Sequence, residues 1–141
     1  MKKKKNLYLA GNLGNWRDGV VEKLKDQYNI YNALVDSRQD CPIHFVNDDI
    51  KGVESSNILL AYRSKENPDC PGMAFEAGVA YKNGTIIIFV DETAFPDPLI
   101  FSVAKRFFTE LDVAIEYLKY LVDGDEVSAL HKAIEAAKAG E

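Results

Sequence analysis

The stretch Asp69–Gly84, DCPGMAFEAGVAYKNG, predicts a helix with a marked start and a marked end. Pro71 suits the first turn of a helix, where its missing N–H would have no partner, and Gly84 suits the C-cap. The run TIIIFV, Thr85–Val90, follows directly and predicts a short buried strand. Helix, turn and buried strand in this order are typical of an α/β fold.

Glu76 is the only charged residue of this helix between Gly72 and Tyr81. Because a solvated helix face carries several charges at helical spacing, Glu76 is predicted to be buried with a partner or to point into a cleft. The alternative is a tightly packed helix whose one glutamate reaches solvent sideways. Gly78 costs about 1 kcal/mol relative to alanine in mid-helix, which predicts that another group approaches its backbone closely.

Composition restricts the class of protein. The chain has 141 residues, 47% hydrophobic and 28% charged, which predicts one soluble domain over residues 1–141. Its longest apolar runs have the length of a strand, so no membrane span is expected. The net charge of −5, with no basic stripe, argues against binding to nucleic acid.

The cysteines and histidines predict neither a metal site nor export. Cys41 and Cys70 form no zinc pattern, and His44 and His131 are far apart in the sequence. The lysines of Met1–Lys5 precede an apolar run that is too short for a signal peptide. Two thiols without an export signal predict a cytoplasmic protein.

Apolar strands and helices alternate along the chain. The predicted strands are Asn6–Ala10, Asn29–Val35, Asn57–Tyr62, Thr85–Val90 and Lys105–Phe108. The predicted helices start at Asn15 or Asp18, at Asp48 (through Ser55), at Pro71, within Thr109–Asp112 and, after a break at Asp123–Asp125, at Ser128; Leu99–Val103 is a further apolar segment. This order predicts a single doubly wound, parallel five-stranded sheet, a flavodoxin-like (Rossmann-like) three-layer sandwich.

Ligands of such sheets bind beyond the carboxyl ends of the strands, where three loops of this chain meet. They are Gly11–Trp16, Asp36–Pro42 and Arg63–Gly72. The first loop lets backbone approach a ligand, but it is not a GxGxxG motif and predicts no dinucleotide. Trp16 is either a core anchor or a platform for a ligand. The second loop is either a lid, a base-contacting loop or an ordinary solvated loop.

Three segments in register resemble the nucleoside 2-deoxyribosyltransferases and related nucleotide N-glycosidases. Leu7–Gly11 followed by Trp16 is similar to the opening strand of that family. Asn47–Ile58 resembles its N-D-aliphatic-x-G-aliphatic helix start, and Gly72–Ala80 resembles its G-x-x-x-E-x-G-x-A nucleophile helix. The match spans about residues 6–92, and the third segment is the most specific.

The resemblance implies a set of roles. Glu76 would attack C1′ of a 2′-deoxynucleoside to give a covalent deoxyribosyl-enzyme, Tyr8 would hold its carboxylate, and Asp49 would bind the nucleobase and help protonate the leaving nitrogen. The implied substrate-binding residues are Gly11, Asn12, Trp16, Asp69, Gly72 and Met73. A free nucleobase would accept the sugar, no cofactor would be needed, and the enzyme would be a homo-oligomer.

Elementary chemistry supports these roles. Cleavage with retention at a glycosidic carbon needs one carboxylate as nucleophile and a second group as acid. A position near the helix N-terminus would favour ionised Glu76, whereas Asp49 as an acid needs a raised pKa. The alternative role of Asp48 and Asp49 is to complement the N-terminal dipole of the helix predicted to start there.

The chain departs from the family at two positions. Cys70 stands where the transferases carry an aspartate six residues before the nucleophile, and Asp69 is its possible substitute. Asn57 stands where many members have an aspartate at the start of the third strand. The C-terminal region also differs, since the chain ends in two predicted helices, whereas transferases commonly lend C-terminal residues to a neighbouring subunit.

Three functions are therefore compared: a deoxyribosyltransferase, an N-glycosidase of a nucleoside or its 5′-monophosphate, and a non-catalytic nucleotide-binding domain. A phosphate reader would present basic or small polar side chains to the 5′ end. The candidates are Arg17, Ser37, Arg38, Arg63 and Ser64, which form no convincing cluster in the sequence. The transferase is therefore the first hypothesis.

Overall fold

The computed structural model describes residues 3–122 and 124–140. Its strands are β1 (Lys5–Gly11), β2 (Tyr28–Asn32), β3 (Ile58–Arg63), β4 (Ile86–Asp91) and β5 (Arg106–Phe108). Its helices are α1 (Trp16–Leu24), α2 (Ala33–Asp36), α3 (Pro42–Glu54), α4 (Pro71–Asn83), α5 (Pro98–Val103), α6 (Leu111–Leu121) and α7 (Glu126–Ala139). Met1 and Lys2 of the lysine-rich segment, and Asp123 of the predicted helix break, lie outside the described residues.

The five strands form one parallel sheet in the order β2-β1-β3-β4-β5. This confirms the predicted α/β fold with a doubly wound five-stranded sheet. The strand order reverses between β1 and β3, so the carboxyl ends of these two strands form the crevice where such folds bind ligands.

The sheet is buried on both faces, as parallel sheets are. Leu7 and Leu9 of β1 face a core built with α1, α6 and α7. Tyr8 and Ala10, which alternate with them, face a second core built with α3, α4 and α5. The alternation along β1 therefore directs Tyr8 towards the helix that carries Glu76.

Local capping moves two predicted boundaries. β2 ends at Asn32, not Val35, because the Asn32 side chain accepts a hydrogen bond from the backbone N–H of Leu34 and starts α2. α3 starts at Pro42 and not at Asp48, since proline is well suited to the first turn of a helix. Asp48 and Asp49 therefore lie in the middle of α3, and the interpretation that they complement its N-terminal dipole is wrong.

Two predictions about the glycines of α4 have opposite outcomes. Gly84 ends α4 with φ of +80°, which confirms the predicted C-cap. The prediction of a close approach at Gly78 is wrong, since a Cβ built there meets no described atom within 4 Å. The apolar segment Leu99–Val103 belongs to α5, whose first turn is capped by the carboxylate of Asp97.

In the described part of the chain, none of the helices combines the length and the apolar character needed to cross a membrane.

Candidate active site

Tyr8 and Glu76 are in direct contact beneath the ends of β1 and β3. The Tyr8 hydroxyl donates a hydrogen bond to Oε2 of Glu76. The Tyr8 ring is fully buried and stacks on the ring of Tyr31, with centroids 5.2 Å apart and planes 12° apart. The donor that contacts the Glu76 carboxylate is thus held by packing on the neighbouring strand.

The environment of Glu76 favours its neutral form. The pKa of Glu76 is raised to about 7, because burial and the nearby carboxylate of Asp49 raise it by more than the Tyr8 hydrogen bond and the Arg17 charge lower it. This direction differs from that expected for a helix N-terminus. Glu76 is the sixth residue of α4, and the dipole effect fades within the first turn.

Asp49 faces the same region from the middle of α3. Its Oδ1 accepts a hydrogen bond from Oγ of Ser37 at 2.5 Å, and that hydroxyl lies 2.6 Å from the Tyr31 hydroxyl. Burial raises the pKa of Asp49, while the Ser37 hydrogen bond and the Arg17 charge act in the lowering direction. A raised pKa is the direction that a general acid requires.

Tyr31 joins the two carboxylate sites, and the sequence did not single it out. Its ring supports Tyr8 and its hydroxyl bonds Ser37, the partner of Asp49. Gly52 makes room for it, because a Cβ at Gly52 would lie 2.9 Å from the Tyr31 ring. Gly52 belongs to Asn47–Ile58, the second of the three segments that resemble the family. Packing against Tyr31 therefore explains why this position is a glycine.

A cleft of about 260 Å³ lies between α3 and α4 and contains both carboxylates. It is lined by Phe45, Val46, Asp49, Gly72, Phe75 and Glu76. Apolar walls with a few converging polar groups are typical of small-molecule sites. A larger cavity, about 730 Å³, opens beside α6 and α7 on the opposite face, but neither Glu76 nor Asp49 lines it. The smaller cleft is therefore the candidate active site.

Gly72 is the one predicted substrate-binding residue that lines this cleft. A Cβ at this position would lie 3.8 Å from Oε1 of Glu76. Any longer side chain at this position would start next to Oε1, the carboxylate oxygen that accepts no hydrogen bond from Tyr8. Gly72 therefore lies next to this oxygen.

The other predicted substrate residues lie elsewhere. Gly11 has φ of +148°, and a Cβ there would lie 2.5 Å from the carbonyl oxygen of Tyr62, so the fold itself requires glycine. Trp16 packs edge-to-face on Tyr62, at 4.9 Å between centroids, on the α1 side of the sheet. This supports the interpretation of Trp16 as a core anchor. The Asn12 carbonyl accepts the Trp16 indole N–H at 2.8 Å.

The two predicted substrate residues on either side of the start of α4, Asp69 and Met73, do not line the cleft either. Met73 is buried in the core on the α3 and α4 side, with 3% of its surface exposed. Asp69 is exposed, whereas Cys70 is half-buried and packs against that core. At the position of the family aspartate the chain therefore has a packed thiol.

Arg17 is a buried cation at the end of β1. Only 2% of its surface is exposed, and its guanidinium donates to the backbone carbonyls of Leu9, Gly11 and Asn12 and to Oδ1 of Asn32. Its charge lowers the pKa of Glu76. The sequence placed Arg17 only among candidate phosphate readers, because its burial depends on how the loop folds back over it.

The hydrogen bonds of Arg17 predict a large loss of stability in Arg17→Met. We expect the free energy of unfolding to fall by about 2–4 kcal/mol, because buried carbonyls lose their donor. Urea unfolding followed by circular dichroism measures this. Arg38→Met is the matched control: Arg38 is exposed and pairs with Asp48 at 2.9 Å, and the loss of such a surface pair should cost much less stability than Arg17→Met. Equal losses in the two variants would contradict the prediction.

The raised pKa of Glu76 predicts a pH-dependent gain of stability in Glu76→Gln. In the unfolded chain the Glu76 carboxyl loses its proton near the pKa of a free glutamate, about 4.3. In the folded protein it keeps the proton up to about pH 7. Between these values the folded state binds more protons, so wild-type stability falls as pH rises. The glutamine variant avoids this loss.

Thermal and urea unfolding at about pH 5 and about pH 8 test this. The difference in unfolding free energy should shift by about 2–3 kcal/mol in favour of Glu76→Gln at the higher pH. A difference that is the same at both pH values would show that Glu76 ionises normally in the folded protein.

Comparison with known proteins supports this fold. No family model matches the chain, and no curated protein matches it. A 2-deoxyribosyltransferase from Bacillus psychrosaccharolyticus aligns at 15% identity over 88% of this chain and 95% of its own, with a TM-score of 0.65. A 2-desoxiribosyltransferase from Leishmania mexicana aligns at 17% identity over 86% and 99%, with a TM-score of 0.66.

This chain has the 2-deoxyribosyltransferase fold. A CMP N-glycosidase from Clostridium botulinum shares it, at 17% identity over 82% of this chain and 99% of that one, with a TM-score of 0.61. The fold thus occurs in proteins named for glycosyl transfer and for glycosidic cleavage. The fold alone therefore does not identify a reaction, which depends on the residues of the site.

Proposed function

We propose that this protein is a nucleoside 2-deoxyribosyltransferase that exchanges the nucleobase of a 2′-deoxynucleoside through an ester on Glu76. The observation that carries this proposal is the hydrogen bond from Tyr8 to Glu76, in an apolar cleft that also holds Asp49. A carboxylate nucleophile and a second group of raised pKa are the two parts that glycosidic cleavage with retention needs.

The geometry supports a division of labour between the two Glu76 oxygens. Oε2 accepts the Tyr8 hydrogen bond, while Oε1 lies on the side of Gly72. In the proposed reaction Oε1 attacks C1′, the C1′–N bond breaks, and Asp49 gives its proton to the leaving nitrogen. A second base then attacks C1′, the ester bond breaks, and Asp49 takes up the proton that the incoming nitrogen releases.

The walls of the cleft support an aromatic leaving group. Phe45 and Phe75 lie on its two sides, from α3 and α4, with Val46 beside them. Aromatic rings pack favourably against planar, weakly polar partners. A base bound between these walls would exclude water from Asp49 and raise its pKa further in the complex.

The candidate phosphate readers support a free nucleoside over a 5′-monophosphate. Arg17 is buried among carbonyl oxygens, and Arg38 and Arg63 pair with Asp48 at 2.9 Å and with Asp91 at 3.1 Å. The two serines are also engaged, Ser37 with Asp49 and Ser64 with Asn12. A phosphate would have to displace existing partners at each of these side chains.

Chromatography of the protein with deoxyinosine, with and without adenine, tests the proposal. We expect deoxyadenosine only when adenine is present, and no product with Glu76→Ala. Hypoxanthine released without a new nucleoside would replace transfer by hydrolysis, and deoxynucleoside monophosphates would then be the next substrates. No turnover of any of these compounds would favour a non-catalytic nucleotide-binding domain.

Subunit assembly is part of the proposal. α4 and α5 expose apolar side chains, Phe75, Tyr81, Leu99 and Phe101. An exposed apolar surface next to a cleft is suited to contact with another subunit, as expected for a homo-oligomer. Light scattering of the purified protein measures the assembly. A cytoplasmic location and a reaction without a cofactor stay expectations from the sequence.

A further inference from the structure

A cysteine, a histidine and an aspartate meet at the start of α3, outside the cleft. The donor atoms of Asp40, Cys41 and His44 all lie within 4.8 Å of one another. The sequence predicted no metal site, because neither cysteines nor histidines form pairs along the chain. The structure shows a mixed set instead, with one residue of each type.

The start of the helix brings these side chains together. With Pro42 in the first turn, Cys41 is the N-cap and His44 the third helical residue. Side chains at these two positions are neighbours, as in a capping box. The His44 N–H donates to the Cys41 carbonyl at 3.1 Å, while the Cys41 side chain makes no cap hydrogen bond within the described chain. The thiol is thus not used by the helix.

Asp40 completes the cluster from the residue before the N-cap. Its two carboxylate oxygens lie 2.9 and 2.8 Å from Nδ1 of His44. Asp40 is exposed, and Cys41 and His44 are half-buried, so an ion can reach all three from solvent. The donors are therefore close together, accessible and adjustable by rotation of their side chains.

The chemistry of the donors selects the metal. Thiolate, imidazole and carboxylate are the three ligand types that Zn²⁺ takes in tetrahedral sites, whereas Mg²⁺ and Ca²⁺ prefer oxygen alone. The α3 N-terminus disfavours a nearby cation. Two anionic ligands, the thiolate and the carboxylate, cancel the charge of a divalent ion and offset this effect.

We propose that Asp40, Cys41 and His44 bind Zn²⁺, with water as the fourth ligand. On binding, Cys41 releases its thiol proton, and the contact between Asp40 and His44 Nδ1 gives way to one bond from each to the metal. The site would tie the loop after Ser37 to the start of α3, the helix that carries Asp49. This inference is independent of the proposed enzyme activity.

Titration of the full chain with Co²⁺, a coloured substitute for Zn²⁺, tests the proposal. We expect a thiolate-to-cobalt absorption band that saturates at one equivalent and disappears when Zn²⁺ is added. Cys41→Ser should lose the band. His44→Gln and Asp40→Asn should weaken Co²⁺ binding about tenfold or more, since even loss of an outer-shell partner costs that much.

The chain supplies matched controls for the cysteine and the histidine substitution, because it has two cysteines and two histidines. Cys70→Ser and His131→Gln lie outside the cluster and should bind Co²⁺ like the wild type. The proposal fails if no saturable band forms, if the band survives Cys41→Ser, or if His44→Gln binds as tightly as His131→Gln. Serine is a good N-cap, so Cys41→Ser should keep α3, which circular dichroism checks.

Discussion

Glu76→Gln is expected to abolish the proposed nucleobase exchange, lowering kcat/KM by on the order of 10⁴-fold or more. The amide cannot attack C1′, yet its carbonyl oxygen can still accept the hydrogen bond from Tyr8, so the cleft should keep its shape. Initial rates of product formation from deoxyinosine and adenine measure the loss. The mass of the intact wild-type protein, quenched during turnover, should show one deoxyribosyl adduct that the variant lacks.

Glu54→Gln is the matched control for this substitution. Glu54 is exposed at the end of α3 and does not line the cleft, so its variant should turn over at the wild-type rate. If Glu76→Gln kept about a tenth of the wild-type activity, the nucleophile would have to be another residue, because loss of a nucleophile is expected to cost far more.

Tyr8→Phe is expected to lower kcat by about a hundredfold or more. The phenyl ring can still stack on Tyr31, whereas the hydrogen bond to Glu76 is lost. Because that bond lowers the pKa of Glu76, its removal should raise this pKa above the wild-type value of about 7. The nucleophile must be ionised, so the acidic limb of the kcat/KM profile should move to higher pH.

Tyr28→Phe is the control for a buried tyrosine hydroxyl. Tyr28 donates to the carbonyl of Leu118 at 2.6 Å, in the core on the other face of the sheet. Its variant should lose about 1 kcal/mol of stability and keep the wild-type pH profile. An acidic limb that stays in place in Tyr8→Phe, or moves to lower pH, would show that Tyr8 does not stabilise ionised Glu76.

The helix and strand around Glu76 could be predicted because their ends are set by local chemistry. Pro71 and Gly84 act through their own backbones, whatever packs around them. The start of α3 was missed although Pro42 gives the same signal and both helices have a cysteine N-cap, because the acids Asp48 and Asp49 also suit the first turn of a helix. The end of β2 was missed because Asn32 bonds the backbone beyond it, against the strand preference of the following residues.

The residues of the candidate site differ in how far the sequence alone could identify them. Glu76 is distinguished by a lone charge on an apolar helix, whereas Tyr8 and Asp49 rest on the resemblance to a family. Tyr31 is directly opposite Tyr8 in the register of β1 and β2, so aligning the two strands would have found it. Arg17 could not be found this way, since its partners are backbone carbonyls set by the loop.

The walls of the cleft and its reactive groups come from separate positions, which makes its size adjustable. Phe45 and Val46 of α3 line the space, whereas the hydrogen bond to Glu76 comes from Tyr8 on β1. Smaller side chains at these two positions would enlarge the cleft while both carboxylates stay in place. For the proposed exchange reaction, libraries restricted to this pair would be a direct route to variants that accept bulky synthetic bases.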